Sequence, residues 1–403
     1  MKTIAHIDAD CFYVSCERVR DSSLCGRPVG VLGNQGACVI ARSYEMKERG
    51  ITVATPIWKA KKICPDGIYV KRDFAWYGAV SKAMHKVLRR YSDVLEFYSV
   101  DECFLDLTGI DGSWEEMALS MQRDIKEEVG IPVSIGIAPT RSLAKIGSDK
   151  NKPFGISVVD QSNLDEFLKT TPVEEICGVG RRLRRRLHSI GVRSCLDYVR
   201  TPRRTIKKLL FKPGEEVWYE LQGKSLLPVR TVRPQRQVVS RGGQIPGHSS
   251  DKNYIFALVM RNLERLLEAL LRYELEILKL QVVLQKSRDK YYSSLQVLPD
   301  YSSEFDVLAP AVRKGFDALF NLGASYGAIH LIGAPVRSVH FKQLNLFDHG
   351  DQRKRKIYEV KHLINAKFGM FALRSATTAD ANEIFRDKNS DHEICDIEGK
   401  FCF

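Results

Sequence analysis

The sequence predicts a multi-domain α+β protein, and three observations lead to that fold class. The chain has 403 residues, more than one ordinary domain holds, so two to four domains are expected. With residues 14–75 set aside as an insertion, the first part runs strand, helix, two strands, helix, strand, which is the ferredoxin-like split βαβ order. Residues 165–230 have a mostly helical pattern, and a small αβ unit begins near Gln237.

The spacing of apolar residues predicts the individual elements. Short apolar runs indicate strands at residues 3–7, 28–32, 38–41, 94–100, 103–107 and 133–138. Helical periodicity indicates helices at residues 44–49, 77–91 and about 113–129. In the second half we expect a helix at about 254–271, a strand at 277–284, a helix at 310–320 and a last strand at 334–341. The tail after Phe347 opens with a charged run and is expected to be loosely structured.

Positive charge is concentrated in one stretch of the chain. Between Ile176 and Ile245 there are 17 Lys and Arg residues against four Asp and Glu. This surplus equals the net charge of +13 of the whole chain, so the remainder is balanced. A local basic surplus is the electrostatic footprint of a polyanion partner, whereas a merely solubilising surface would intersperse both signs. Nucleic acid is therefore the expected partner.

Hydrophobicity and cysteine usage argue against several other classes. No apolar run approaches the ~18 residues that a membrane span needs, and the N-terminus lacks the apolar segment of a signal peptide. The ten cysteines are scattered without a CxxC pair, which argues against zinc ribbons and redox motifs. We expect a cytoplasmic, nucleoid-associated protein with reduced thiols and no membrane partner.

Two short acidic segments stand about ninety residues apart, each beside a strand-like apolar run. One contains Asp8 and Asp10, the other Asp101 and Glu102. Taken singly, each is typical of a surface acid at a strand end or hairpin corner. Together on adjacent strands they would raise one another's pKa, and a pair of Mg²⁺ ions would compensate them, with a substrate phosphate completing the metal shell. The pattern favours phosphoryl or nucleotidyl transfer, with Asp10 as a weaker candidate than the other three.

A second pattern lies on the predicted helix that begins at Tyr44. Tyr44 and Lys47 are three residues apart and share a helical face, where a phenol and an ammonium can bind phosphate oxygens. Lys47 alone is equally compatible with an ordinary solvated charge.

A third pattern is the turn Gly178–Val179–Gly180, which is followed by five arginines in six residues. Such a turn between helices is typical of a helix-hairpin-helix element, because glycines let a DNA phosphate reach the N–H groups of a helix start. Arg181, Arg182 and Arg184 would add non-specific phosphate affinity. A glycine turn used only for packing is the alternative interpretation.

These ordered motifs resemble those of the Y-family DNA polymerases from Met1 to about Phe341. The resemblance rests on HIDADCFYVSCE, CVIARSYEMKERG, YSVDECFLDLTG, GIAPTRSLAKIGSDKNKP and GVG. Within the family the chain looks most similar to the UmuC branch, the catalytic subunit of the bacterial SOS mutagenic polymerase. The resemblance implies a right-hand fold with these parts: a palm at 1–13 and 76–164, fingers at 14–75, a thumb at 165–232, a little finger at 233–341 and a tail at 342–403.

The resemblance also implies roles for the residues of the catalytic site. Asp8, Asp101 and Glu102 match the metal-binding carboxylates, and the carbonyl of Ala9 is an expected further ligand of two Mg²⁺ ions, with Mn²⁺ as a possible substitute. Tyr13 falls at the aromatic steric-gate position, which packs against the sugar and excludes a 2′-OH.

Other matched positions imply contacts to the nucleotide and to DNA. Tyr44, Lys47 and Lys152 match the triphosphate-binding positions, although Lys47 stands where other branches have an arginine, which weakens the case for bidentate phosphate contact. Arg42 lies where a UmuC-like residue would reach the nascent base pair. Gly178 and Gly180 match the thumb hairpin that grips duplex phosphates.

The partners implied by the resemblance are primer–template DNA, a dNTP and the sliding clamp. The clamp contact is the peptide at residues 343–347, with Gln343, Leu344, Leu346 and Phe347 as its binding residues. Similarity to UmuC further implies a processed UmuD dimer and the RecA recombinase filament.

The function expected from these residues is template-directed DNA synthesis of the error-prone lesion-bypass type. Two alternatives come from other classes. A catalytically dead paralogue acting as a clamp-tethered adaptor should have lost a carboxylate, and all three are present. A nucleotide cyclase on a similar palm would not need the basic stretch or the glycine hairpin.

Overall fold

The computed structural model describes residues 2–33, 36–232, 235–287, 289–341, 352–369 and 371–386. These residues form two compact units, one up to residue 232 and the other from residue 235 to 386. Among the helices in these ranges, none has the length and apolar character required to cross a bilayer.

The first unit contains ten helices and eight strands among its described residues. In chain order they are β1 (Ile4–Ala9), α1 (Phe12–Arg20), β2 (Val29–Leu32), β3 (Val39–Arg42), α2 (Tyr44–Glu48), α3 (Ile57–Ile63), β4 (Ile68–Lys71), α4 (Phe74–Leu88), β5 (Leu95–Phe97), β6 (Glu102–Asp106), α5 (Trp114–Glu128), β7 (Val133–Ala138), α6 (Arg141–Lys150), β8 (Ile156–Val158), α7 (Leu164–Thr170), α8 (Arg181–Ser189), α9 (Cys195–Arg200) and α10 (Arg203–Glu220).

The palm is a five-stranded sheet in the order β5-β6-β1-β7-β8. Its central strand β1 is antiparallel to both β6 and β7, and β8 adds a parallel edge. All residues of β1 and β7 are buried, as expected of strands covered on both faces. The prediction that the two acidic segments lie on adjacent antiparallel strands is confirmed, because Asp8 stands opposite Glu102.

Helix α6 approaches the palm sheet closely, and a glycine makes this possible. A Cβ atom on Gly136 of β7 would lie 2.0 Å from the carbonyl oxygen of Ala144 in α6, so any larger residue would push the helix away. The helix begins at a cap in which the Thr140 side chain accepts from the N–H of Leu143. This packing brings Lys145 next to the acidic end of the sheet.

The fingers form a small three-stranded sheet, β3-β2-β4, with helices α2 and α3 against it. Helix α2 starts where the Ser43 side chain accepts from the N–H of Met46. Met46 and Ala60, from α2 and α3 respectively, are fully buried in the same small core. The two short helices are therefore held by one core, which fixes which side chains they present outward.

The thumb helices α7 to α10 share a hydrophobic core with the palm. Palm residues Ile4 and Phe104 belong to the same cluster as Leu187 and Tyr198 of the thumb. A fully buried carboxylate, Glu220 at the end of α10, also joins the two parts: it accepts from the N–H of Ser142 at 3.1 Å and from that of Leu226 at 2.7 Å. Backbone donors thus satisfy the buried charge.

The second unit is an open antiparallel sheet covered by helices. Its elements are β9 (Val239–Ser249), α11 (Lys252–Arg272), β10 (Leu275–Ser287), β11 (Lys290–Ser302), α12 (Phe305–Leu319), β12 (Tyr326–Gly333), β13 (Val336–Ser338) and α13 (Gln352–Phe368). The strand order is β11-β10-β12-β9, with β13 paired to β10. The core lies between the sheet and helices α11 and α12.

The strands of this unit match the sequence prediction only in part. The strand expected at 334–341 is present as the short β13 (Val336–Ser338), whereas β11 and β12 were not predicted. Strand β11 is an edge strand that contains Pro299, and most of its side chains are exposed, so it lacks the alternating pattern of a half-buried strand.

The tail is also more ordered than expected. Residues 352–368 form α13, and the turn-like segment Ala376–Arg386 packs on α11, with Ala381 inside the core of the unit. The clamp-peptide residues Gln343, Leu344, Leu346 and Phe347 lie outside the described residues.

Candidate active site

Two carboxylates face each other across the central strands of the palm. Asp8 lies near the end of β1, and its cross-strand partner Glu102 begins β6. The N–H of the next residue, Ala9, donates to the carbonyl oxygen of Asp101 at 2.9 Å. Continuous apolar strands dictate this register, so the acidic pair is held by rigid backbone rather than by a loop.

Two lysines form ion pairs with this acidic pair. Lys152 Nζ lies 2.7 Å from Asp8 Oδ2 and 2.6 Å from Asp149 Oδ1. Lys145, on α6, donates a short hydrogen bond to Glu102 Oε1. Below them His6 is fully buried, with Nδ1 2.7 Å from the Ser148 hydroxyl and Nε2 3.8 Å from Glu102 Oε1. The carboxylates therefore sit in a partly buried, ion-paired environment.

The environment pushes the two carboxyl pKa values apart. Burial raises the pKa of Asp8 to about 8, the nearby Glu102 adds to this rise, and Lys152 opposes it. Burial also acts to raise the pKa of Glu102, but Lys145 and His6 outweigh it and bring that pKa to about 2. Adjacent buried carboxyls resist carrying two negative charges at once, so full ionisation of the pair needs further positive charge at this place.

The third predicted ligand, Asp101, is turned toward a hydroxyl. Ser99 Oγ donates to Asp101 Oδ1 at 2.5 Å and to Glu102 Oε2 at 3.2 Å. Within the described ranges no three His, Cys, Asp or Glu side chains are close enough together to hold a metal ion. The Ser99 hydroxyl thus holds the Asp101 carboxylate on the side of Glu102. The carboxylate oxygens of Asp8 and Glu102 are the kind of donor that a hard divalent cation prefers.

Asp10, ranked lower from the sequence, joins three segments around this site. It is buried, and its carboxylate accepts from the Tyr44 hydroxyl at 3.2 Å, from Ser134 Oγ at 3.0 Å and from the N–H of Phe154 at 2.7 Å. These partners belong to the fingers, to β7 and to the loop that follows Lys152. Asp10 therefore positions the fingers on the palm.

Tyr13 lies on α1 with its ring in an aromatic cluster. The ring stacks on Tyr77 at 4.6 Å between centroids and contacts Phe74 at 5.7 Å. Burial, and to a lesser extent the charge of Asp101, raises the pKa of Tyr13 well above its usual value. Its hydroxyl is buried and has no hydrogen-bond partner within the described part of the chain. The Tyr13 side chain is therefore held in one position by its aromatic neighbours, and its phenol is uncharged.

The predicted face of α2 is present. Lys47 Nζ lies 3.9 Å above the ring of Tyr44, whose hydroxyl is anchored on Asp10. Arg42 ends β3, and its buried Nε lacks a hydrogen-bond partner in the described ranges. The structure thus brings Tyr44 and Lys47 together and ties Tyr44 to the palm through Asp10.

The glycine hairpin of the thumb has the backbone that its sequence predicts. Gly178 has a φ of 94°, which only glycine adopts readily, and Gly180 is the N-cap of α8. Arg181 and Arg182 are exposed, while Arg184 lies 3.6 Å from Glu174. A helix start with free arginines beside it suits a phosphate backbone.

Sequence reasoning missed the roles of Lys145, His6 and Asp10. No role was expected for Lys145, whose neighbours Ala144 and Ile146 are apolar and bury one face of α6. The only available signal was this helical spacing, which places Lys145 and Asp149 four residues apart. Nothing in the order of residues shows that Asp10 accepts hydrogen bonds from distant segments.

Comparison with known families and proteins agrees with this geometry. Residues 7–149 match the impB/mucB/samB family model, and residues 162–192 match the IMS family HHH motif. The chain is 28% identical over 397 residues to DNA polymerase IV of Bacillus velezensis, covering 95% of this chain and 94% of the relative. It is 37% identical over 245 residues to DNA polymerase IV of Pseudomonas aeruginosa strain UCBPP-PA14, covering 60% of this chain and 70% of the relative.

Solved structures show the same fold. A Y-family chimera of Dbh and Dpo4 superposes with a TM-score of 0.72 at 25% identity, over 83% of this chain and 99% of the chimera. DinB from Sulfolobus solfataricus gives a TM-score of 0.55 at 25% identity over the same shares. The named relatives above are DNA polymerase IV proteins, so the narrower likeness to UmuC stays a prediction. The chain belongs to the Y family of translesion DNA polymerases.

Proposed function

We propose that this DNA polymerase works in error-prone, SOS-type damage tolerance as a UmuC-like enzyme, and that its carboxylate site carries out two-metal nucleotidyl transfer. The observation that carries the proposal is the Asp8–Glu102 pair, held opposite each other on buried strands with Asp101 adjacent. The same part of the molecule carries the aromatic ring of Tyr13 and the ammonium groups of Lys47 and Lys152.

The metal ligands in this proposal are Asp8, Asp101, Glu102 and the carbonyl of Ala9. Two bound Mg²⁺ ions would supply charge stabilisation for the attacking and leaving oxygens. The residues themselves contribute rigidity: β1 and β6 fix the carboxylate spacing, and Ser99 holds Asp101 and Glu102 beside each other. Carboxylates carried by paired strands are held more rigidly than carboxylates on a loop.

The nucleotide would lie between the palm and the fingers. Lys152 has two acidic partners, Asp8 and Asp149, and in this proposal it passes from Asp8 to the triphosphate. Tyr44 and Lys47 meet the same phosphates, Arg42 reaches the nascent base pair, and the Tyr13 ring lies against the sugar. The primer 3′-hydroxyl loses its proton to solvent, its oxygen bonds to the α-phosphorus, and the bond to the leaving pyrophosphate breaks.

In this proposal the thumb binds the DNA, and other proteins bind the polymerase. Gly178 and Gly180 would admit a duplex phosphate, and Arg181, Arg182 and Arg184 would add sequence-independent affinity. The peptide at 343–347 would tether the enzyme to the sliding clamp. A processed UmuD dimer and the RecA filament are the partners that a UmuC-like polymerase would require.

A primer-extension experiment with Asp101→Asn tests this function. On primed undamaged and abasic templates with Mg²⁺ we expect extension by the native protein and loss of at least about 10³-fold in rate by the variant, or ~4 kcal/mol in the barrier. DNA affinity should remain within about twofold, because Asp101 lies in the palm and not in the thumb hairpin. Extension at the native rate by Asp101→Asn would contradict the metal assignment.

A further inference from the structure

The fingers carry a tryptophan that the catalytic site does not use. Trp58, on α3, is 63% exposed, whereas Trp76, Trp114 and Trp218 are partly buried against the cores. Tryptophan has the largest apolar surface of any side chain, so its exposure on a well-packed element points to a binding role.

The exposure of Trp58 follows from the register of its helix. Ala60 and Cys64 are fully buried in the core of the fingers, and Ile57 packs against that core. With 3.6 residues per turn, this inward side leaves Trp58 on the outward side. The ring is therefore presented by a fixed helix and is not a loose surface group.

Three lysines lie on the same short helix as the ring. Lys59, Lys61 and Lys62 are all exposed, and Lys62 Nζ lies 5.8 Å from the Trp58 ring centroid. Across the described ranges no carboxylate lies within ion-pair distance of these lysines, and the nearby Asp66 is paired with Arg49. The surface formed by Trp58 and these lysines, here called the α3 platform, combines one aromatic face with uncompensated positive charge.

That combination fits single-stranded nucleic acid. A base stacks on an exposed aromatic ring while ammonium groups contact its phosphates, and this mode tolerates any sequence. An acidic peptide would use the lysines but would leave the indole without a stacking partner. The core that holds α3 also holds Met46 of α2, and α2 reaches the catalytic site through Tyr44. A strand on the α3 platform would thus be bound by the same small domain that meets the nucleotide.

We propose that the α3 platform binds the unpaired template strand, with a base stacked on Trp58 and phosphates at Lys59, Lys61 and Lys62. This inference rests on the proposed polymerase function and adds a binding site for the single-stranded part of the template. It predicts that the length of the 5′ template overhang contributes to DNA affinity.

The test compares two primer–templates with the same duplex, one with a 1-nucleotide and one with a 12-nucleotide thymidine overhang. Fluorescence anisotropy with the full chain, without dNTP, gives the ratio of the two affinities. The native protein should prefer the long overhang by about five- to hundredfold, the range of one stacked base plus its phosphates. Trp58→Ala should abolish most of this preference, and Trp58→Phe should keep part of it.

The controls separate this inference from the polymerase function. Leu119→Ala removes another exposed apolar side chain, from α5, and should keep the native preference. Replacing Lys59, Lys61 and Lys62 with Gln should reduce the salt dependence of the long-overhang affinity. Extension of the short-overhang substrate should be native in Trp58→Ala. An unchanged overhang preference in Trp58→Ala, or equally Trp58-dependent binding of poly-glutamate, would overturn the proposal whatever the extension assay shows.

Discussion

At the scale of single residues, the site is organised by side chains that never need to touch the substrate. Asp10 accepts hydrogen bonds from Tyr44, Ser134 and the N–H of Phe154, so one buried carboxylate ties the fingers, the palm sheet and the loop after Lys152. Lys145 holds Glu102 in its ionised form. These residues set where the proposed metal ligands stand before any ligand arrives.

The structure gives a sharp prediction for the role of Tyr13 in sugar selection. Its position is fixed by stacking on Tyr77, so Tyr13→Ala should remove the wall against a 2′-OH and raise ribonucleotide insertion relative to dNTP insertion by at least about tenfold, or ~1.4 kcal/mol. Single-nucleotide insertion with paired rNTP and dNTP measures this ratio.

The matched variant Tyr13→Phe keeps the ring and removes only the hydroxyl that lacks a described partner. It should retain native sugar selection. Because Tyr13→Ala opens a gap in an aromatic cluster, its melting temperature must be recorded alongside. Unchanged sugar selection in a folded Tyr13→Ala protein would refute the gate role.

At the scale of elements, the sequence was informative where periodicity and burial agree. The strands that became β1, β6 and β7 were predicted because their apolar runs are short and continuous, and the acidic pair followed from their adjacency. The exposed edge strand β11 has no such pattern. The hydrogen bond from the Ser99 hydroxyl to Asp101 could not be predicted in this way, since residue order does not encode that contact.

Helix α13 was not predicted either, because polar contacts hold it in place and such contacts cannot be recognised from its residue pattern. Lys361 Nζ lies 2.9 Å from Oε1 of the buried Glu264 on α11, and the N–H of Ser375 donates to the same oxygen. Asn365 exchanges hydrogen bonds with the backbone of Leu373, and Tyr358 stacks on Phe305 at 6.0 Å. The tail thereby completes the second unit.

Removing the Lys361 ammonium should therefore destabilise the second unit. Lys361→Ala removes the ammonium partner of the buried Glu264 carboxylate, which should cost about 1–3 kcal/mol because Lys361 is itself partly exposed. Thermal unfolding should show a melting point lower by several degrees. Lys367→Ala, an exposed lysine on the same helix, is the control and should leave the melting point unchanged. Equal melting points for the two variants would contradict the anchoring role.

At the scale of the whole molecule, the excess positive charge and the carboxylate site lie in different parts of the chain. The metal-ligand candidates lie on the palm sheet, and the proposed nucleotide contacts lie on α1, α2 and the loop after α6. The basic surplus of the chain falls between Ile176 and Ile245. A polymerase needs this division, because phosphate affinity holds DNA without regard to sequence while the rigid palm governs the reaction. The basic surplus was readable from composition alone, whereas the pairing of Lys145 and Lys152 with the acidic site required the fold.

The central claim is that the Asp8–Glu102 site adds nucleotides under direction of a template. Single-nucleotide insertion with Mg²⁺ tests it most directly, with each of the four dNTPs offered alone opposite each template base and opposite an abasic site. The account predicts preferential insertion of the complementary dNTP on undamaged template and measurable insertion opposite the abasic site, both lost in Asp101→Asn. Insertion that ignores the template base, or that persists in Asp101→Asn, would contradict it.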